Sequence, residues 1–226
     1  MNSYILEFKD VISFDNNKTF VLKDVNFSVF KEILSIILNT GKTTLLKIIA
    51  IYKNYFEIIK NYKKISYVPQ KINLDKTFPI KVYEFIRLYN NVSSNLIKIF
   101  LKKFNSVDLF DRNINTLSEF QKVMIISALI SKPDLILFDE PTSIDVLEEF
   151  FYELVSDVKN LFPYISIILV SHNLNLVYKN SDKVLCLHKD NFCCHTPSEI
   201  IDNLDARNII NYLLPYKHNP HKKCIH

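Results

Sequence analysis

The chain has 226 residues and one glycine, Gly41. Average usage would put about 16 glycines in a chain of this length. Glycine supplies left-handed turns and lets a main chain approach a ligand closely, so the deficit limits what the loops can do. It also excludes collagenous and elastic classes. The 48% hydrophobic content excludes disorder and suffices for a core of one large α/β domain.

Gly41 sits where two patterns meet. Before it, Ile33–Leu38 is a continuous apolar run that reads as a buried strand. The piece that follows, Thr40-Gly41-Lys42-Thr43-Thr44-Leu45-Leu46-Lys47-Ile48-Ile49, has helical periodicity. Strand, Gly-Lys-Thr loop and helix are the parts of a phosphate-binding loop. Backbone N–H groups converging at a helix N-terminus suit a phosphate chain. Lys42 fits the β- and γ-phosphates, and the Thr43 hydroxyl fits Mg²⁺. The strict G-x-x-x-x-G-K pattern fails, because its first glycine position holds Ile36.

A second anchor is Leu135-Ile136-Leu137-Phe138-Asp139-Glu140. Four apolar residues and two acids describe a buried strand presenting carboxylates at its C-terminal end, where α/β ligands bind. Asp139 suits Mg²⁺, directly or through water, and Glu140 suits polarising an attacking water. With Gly-Lys-Thr about a hundred residues upstream, the pair points to nucleotide hydrolysis.

Tyr4–Phe8 and Val25–Val29 alternate as half-buried antiparallel strands around a turn at Asp15-Asn16-Asn17. Val82–Tyr89, Ser94–Phe104 and Gln121–Ile130 carry apolar stripes, so about 79–130 reads as helical, with Pro133 ending the last helix. A helix at Val146–Leu161 and a buried strand at Ile165–Val170 follow, the strand ending in Ser171-His172. Strands alternating with helices predict a mostly parallel sheet. One domain over 1–214, with a helical insertion, and a polar tail over 215–226 account for the whole chain.

The charge, 28 basic against 24 acidic residues, is a mild +4 without a basic stripe, which argues against nucleic acid as a partner. Cys186, Cys193, Cys194 and Cys224 do not space out as a disulfide framework and suit a reducing compartment. No run approaches the ~20 apolar residues of a membrane span. The first residues lack the basic and apolar regions of a signal peptide, so a soluble protein is expected.

In the order and spacing of these motifs the chain resembles the ATP-binding subunit of ABC transporters over essentially its whole length. The resemblance implies a P-loop NTPase (RecA-like) fold of class α/β, with a mostly parallel sheet, an N-terminal antiparallel β subdomain and a helical insertion. It implies ATP and Mg²⁺ as ligands. Asn39, Thr40, Gly41, Lys42, Thr43 and Thr44 would form the phosphate loop. Phe14 matches the aromatic that stacks on adenine. Tyr67-Val68-Pro69-Gln70 matches the Q-loop, whose Gln70 senses Mg²⁺ and the membrane partner. Leu117-Ser118 begins something like the signature motif, Ser143-Ile144-Asp145 looks like the D-loop, and His172 looks like the switch histidine at the γ-phosphate.

Within that family the chain is most similar to the ATPase of bacterial zinc-uptake importers. Ser66–Lys71 with Leu74-Asp75 and Phe78-Pro79 carries the likeness, as do Asp182–Leu187 and Cys193-Cys194 before Thr196-Pro197. The cysteine pair itself reads as strand rather than metal ligand. His218, His221, Cys224 and His226 have donors suited to Zn²⁺, and a histidine-bearing C-terminus also occurs in that subfamily. The resemblance implies permease subunits in the membrane, a head-to-tail second copy, and indirectly a periplasmic or extracellular metal-binding protein. It places the subunit peripherally on the cytoplasmic face of the inner membrane.

The departures share one character. The family's phosphate loop runs G-x-N-G-x-G-K, whereas Ile37-Leu38-Asn39-Thr40-Gly41-Lys42 lacks two of its glycines. Leu117-Ser118 runs into Glu119 where the signature continues Gly-Gly, and Ser143-Ile144 lacks the glycine of the D-loop. The turn Phe30-Lys31-Glu32 lacks one as well. Either the recorded sequence has lost glycines that the native polypeptide carries, or the chain is an impaired ATPase that scaffolds a permease. Intact Lys42, Thr43, Asp139, Glu140 and His172 favour the first explanation, because decay should not single out one residue type. A soluble ABC ATPase without a permease is a third reading, disfavoured by the apolar helical insertion and the histidine tail.

Overall fold

A computed structural model describes residues 4–14, 20–30, 33–38, 42–50, 58–69, 79–117, 120–140, 148–171, 177, 180–188 and 191–202. The alternating N-terminal segment forms β1 (Leu6–Phe14), which pairs antiparallel with β2 (Phe20–Val29). Their register sets Phe8 opposite Phe27, and the two rings stack with centroids 4.4 Å apart. The strands therefore run longer than the alternation predicts; their expected turn at Asp15–Asn17 lies outside the described residues. The register breaks between Phe8 and Val11, where Asp10 has a left-handed φ of 50°. Asp10 N–H donates to Asn26 Oδ1 (2.9 Å) and Asn26 Nδ2 donates back to Asp10 Oδ1 (2.7 Å). This exchange of hydrogen bonds holds a bulge that glycine often fills.

The continuous apolar runs become β3 (Ile33–Leu38), β6 (Leu135–Asp139) and β7 (Ser166–Val170). Two shorter strands, β4 (Ile58–Lys60) and β5 (Ile65–Val68), precede β6, and a hairpin of β8 (Lys183–His188) and β9 (Asn191–His195) follows β7. β4 joins β1, giving a three-stranded sheet ordered β2-β1-β4. The other sheet is ordered β5-β6-β7-β3-β8-β9, parallel throughout except for β9. The mostly parallel sheet and the antiparallel N-terminal unit are thus both present.

Alternate residues of the two central strands face two cores, as a period of two requires. Leu135, Leu137, Ile168 and Val170 pack with Leu6 and Phe8 against Leu45, Leu46, Ile48 and Ile49 of α1 (Lys42–Ala50). Ile136, Phe138, Ile167 and Leu169 face the helices α2 (Val82–Tyr89), α3 (Ser94–Lys103), α4 (Phe120–Ile130) and α5 (Glu148–Leu161). A sheet covered on both faces needs apolar residues at every position, which explains the unbroken runs. A last short helix, α6 (Pro197–Asp202), follows β9.

The helices keep the boundaries their periodicity predicts to within one or two residues. α5 is described from Glu148, and its expected start at Val146 lies outside the described residues. Inside the helical insertion, Lys81 N–H donates to Glu84 Oε2 (2.8 Å) at the start of α2, and Ser93 Oγ accepts from Leu96 N–H (3.3 Å) at the start of α3. Asn90 is buried and donates from Nδ2 to Ser127 O (3.0 Å) and Ser127 Oγ (3.1 Å), tying the end of α2 to α4.

Candidate active site

Parallel strands share one C-terminal edge. Here it gathers the ends of β5 at Val68, β6 at Asp139, β7 at Val170, β3 at Leu38 and β8 at His188. Ligands of open α/β sheets bind beyond that edge. Residues expected at the site follow four of these strands directly: Gln70 after β5, Glu140 after Asp139 on β6, His172 after β7, and the phosphate loop after β3. The strands that end on this edge are drawn from more than a hundred residues of sequence.

The acid strand is the best-defined part. Leu135, Ile136, Leu137 and Phe138 are fully buried, and Asp139 at the strand's end is 9% exposed. Glu140 follows in the left-handed region with φ 42°. That conformation costs a residue with a Cβ about 1–2 kcal/mol. Glu140 N–H donates to Val170 O (3.2 Å), extending the β6–β7 ladder one residue past the strand while the chain turns away. Backbone strain held by the surrounding sheet is common at functional positions.

Asp139 Oδ2 accepts a hydrogen bond of 2.6 Å from the Tyr67 hydroxyl on β5. Desolvation, that hydrogen bond and the negative charge of Asp139 together hold the phenol well above the ordinary tyrosine pKa, so it stays protonated and donates. Buried carboxylate oxygens at a strand end are the hard donors that Mg²⁺ prefers, so Asp139 fits the ion expected from the sequence. The sequence reading takes Tyr67 only as part of the Q-loop stretch and misses this contact. Its detectable signal is an aromatic hydroxyl three residues before Gln70, on a strand too short for its neighbours to be assigned.

β3 leads to α1, whose first residue is Lys42 and whose first turn has no acidic side chain to oppose a phosphate. The start of β3 is pinned by Asp182 Oδ2, which accepts from Ile33 N–H (2.7 Å). At the other end of α1, Lys60 Nζ donates to Ile48 O and Ile49 O, both at 2.8 Å, and the Tyr62 hydroxyl donates to Ile49 O. These donors satisfy terminal helix carbonyls and fix the helix that carries Lys42.

The backbones of Phe14, at the end of β1, and of Lys42, Thr43 and Thr44, opening α1, are described. Asn39, Thr40, Gly41, Gln70, Ser118, Asp145, His172, His218, His221, Cys224 and His226 lie outside the described residues. Cys193 and Cys194 lie on β9, in agreement with their reading as strand. Among the described residues no group of three His, Cys, Asp or Glu side chains could hold a metal ion, and no helix is long and apolar enough to cross a membrane.

A groove of about 440 Å³ opens between β5 and helices α2 and α4, lined by Tyr67, Pro69, Phe85, Tyr89, Asn90 and Met124. Tyr89 is 64% exposed and Leu88 beside it 72%, an unusual display for large apolar side chains on adjacent positions. Pro69, the residue before Gln70 in sequence, lines one end of the groove.

Comparison with known proteins gives one consistent answer. The family model described as ABC transporter matches residues 22–143, more than half of the chain. The zinc import ATP-binding protein ZnuC of Rickettsia bellii (strain RML369-C) is 36% identical, with 97% of this chain and 98% of that protein covered. The protein of the same name from Buchnera aphidicola subsp. Baizongia pistaciae (strain Bp) is 35% identical, with 92% and 93% covered. Among solved structures, a metal-chelate type ABC transporter in an inward-facing conformation superposes with a TM-score of 0.80 at 21% identity, covering 93% of this chain and 90% of that one. A nucleotide-free ATP-binding cassette from an ABC transporter gives 0.75 at 18% identity, covering 92% and 98%. At those identities the structures speak for the fold, which is that of an ABC ATPase domain.

Proposed function

The chain belongs to the ABC transporter family, and on that premise we propose that it is the ATP-hydrolysing subunit of a membrane importer for zinc or another divalent metal. The observation that carries this reading is the Asp139–Glu140 pair at the buried end of β6, on the edge where β3 feeds α1 and Lys42. In the reading, Lys42 pairs with the β- and γ-phosphates, while the amides of Asn39, Thr40, Gly41 and Thr44 cradle them. Thr43, Asp139 and Gln70 would hold Mg²⁺, which would supply positive charge to offset that of the phosphates. Phe14 stacks on adenine. Glu140 takes the proton of the attacking water, and His172 contacts the γ-phosphate as charge develops there. Positioning and charge stabilisation do most of the work in such phosphoryl transfers.

Ser118 and Asp145 act across a head-to-tail dimer of two copies, each ATP lying between the phosphate loop of one and the signature of the other. The nucleotide-binding domain spans 1–214, with the helical insertion at about 79–130, and 215–226 is a tail whose His218, His221, Cys224 and His226 offer zinc donors. The Gln70 loop and the helices at 80–104 dock permease subunits on the cytoplasmic face of the membrane. The exposed Leu88 and Tyr89 and the groove lined by Pro69, Phe85 and Tyr89 support that docking. The permease and a periplasmic or extracellular metal-binding protein, rather than this subunit, select the ion; nucleic acid has no part.

Co-purification with a permease, followed by ATPase measurement at saturating Mg-ATP, tests the reading. Hydrolysis stimulated by the permease is expected. Absence of hydrolysis both with and without the permease would leave only a scaffold.

A further inference from the structure

An aspartate at the end of a strand does not orient itself. Its terminal torsion is broad and nearly two-fold, so which carboxylate oxygen faces a metal depends on what holds the other. At Asp139 the holder is visible. Tyr67 stands opposite Leu137 in the parallel β5–β6 register, and its ring reaches two positions up the neighbouring strand to bring its hydroxyl 2.6 Å from Asp139 Oδ2. That length is typical of an O–H···O⁻ bond, about 2.5–2.7 Å. Asp139 is 9% exposed and Tyr67 41% exposed, so the bond sits at the lip of the sheet edge, between the buried strand end and solvent.

We propose that Tyr67 is a positioning residue for the metal-holding aspartate: its hydroxyl ties Asp139 Oδ2 and so presents Oδ1 to the Mg²⁺ that accompanies the nucleotide. The inference rests on the reading of Asp139 as the Mg²⁺-holding acid. It explains why a tyrosine, and not merely a large apolar residue, stands at a strand position whose ring also lines the groove. Outer-shell donors of this kind fix ligand geometry, and losing one typically costs about 10- to 100-fold in metal affinity.

The test uses the full chain with a non-hydrolysable ATP analogue, titrated with Mn²⁺ as a paramagnetic stand-in for Mg²⁺. Tyr67→Phe keeps the ring and removes the hydroxyl; Tyr67→Met removes both and reports lost packing. Both variants are expected to need about tenfold more Mn²⁺ for half-saturation, near the lower end of that range. Their metal-free affinity for the analogue should stay unchanged, and Tyr67→Phe should keep the thermal midpoint of the parent. Unchanged or tighter Mn²⁺ binding in Tyr67→Phe would overturn the proposal. So would a loss confined to Tyr67→Met, which would make Tyr67 a packing residue. Asp139→Asn separates the two levels. If it weakens Mn²⁺ binding while Tyr67→Phe does not, the positioning role alone falls. If Asp139→Asn leaves Mn²⁺ binding intact, or the parent chain binds no analogue, the reading of the site falls and takes the proposal with it.

Discussion

The end of β6 and the segments at 37–42 and 117–121 belong to one proposed nucleotide site, yet they are made of different material. At β6 the chemistry resides in side chains: Asp139 and Glu140 project from a strand whose preceding four residues are completely buried. In the other two segments the family's contacts come largely from main-chain amides, and several of those amides need conformations that only glycine adopts freely. This chain keeps the first kind of part whole and retains one glycine, Gly41, in the second. A buried strand presents a carboxylate without help from glycine, whereas a loop that wraps a phosphate does not form from just any residues.

The described residues show how the chain manages left-handed backbone without glycine. Asp10, Asn105, Lys132 and Glu140 all have positive φ. Asp and Asn tolerate that region through local hydrogen bonds, and Asp10 makes such bonds with Asn26. Asn105 follows the last turn of α3, a position where glycine or asparagine commonly ends a helix. Lys132, just after α4, donates its N–H to Leu129 O (2.8 Å) in a similar terminal turn. Glu140 is the costly case, and it is the residue assigned to the proton.

Changing the loop rather than the strand should give the largest response. Inserting glycine between Ile37 and Leu38 and between Asn39 and Thr40 should raise ATP affinity at least about tenfold, since a single charge-assisted amide contact contributes about 1.5–3 kcal/mol. No gain in equilibrium binding would mean that the two parts are not unequal after all. An intact mass sharpens the same point: natively produced protein weighing 26.6 kDa truly lacks these glycines, and a heavier one carries them.

A smaller effect should appear on the strand side. Glu140→Gly relieves the left-handed backbone and should stabilise the fold by about 1 kcal/mol, raising Tm by about 2–4 °C, while turnover is lost. A lower Tm would show that the Glu140 side chain holds the turn rather than straining it. The smallest effect concerns the insertion. The Lys81 backbone N–H and the Tyr83 hydroxyl hold the Glu84 carboxyl below its usual range. A lowered folded pKa means that the contribution is present above the unfolded value of 4.5 and disappears as pH falls through the folded one. Glu84→Gln should therefore flatten the acid limb of the stability profile below pH 4.5 without altering ATP turnover at neutral pH.

Much of the fold was legible because its signals were long. β6 and β7 read as strands from unbroken apolar runs, and α2 read as a helix from the apolar stripe of Val82–Tyr89, whose Val82, Phe85 and Ile86 are buried. β4 and β5, three and four residues long, were too short for any period to emerge. The sheet order was hidden as well, because a parallel strand's neighbours depend on crossovers and not on local pattern. For that reason the acids were legible and the Tyr67–Asp139 hydrogen bond was not: it exists only because β5 lies beside β6. The left-handed turn at Glu140 was equally invisible, since nothing about glutamate announces it.

ATP turnover and ATP binding measured side by side for the parent protein and Glu140→Gln probe the acid strand most closely. With Glu140 as the general base, the substitution should reduce steady turnover by about 10²- to 10⁴-fold while leaving nucleotide affinity near that of the parent. Undiminished turnover in Glu140→Gln would contradict the assignment of hydrolysis to the end of β6.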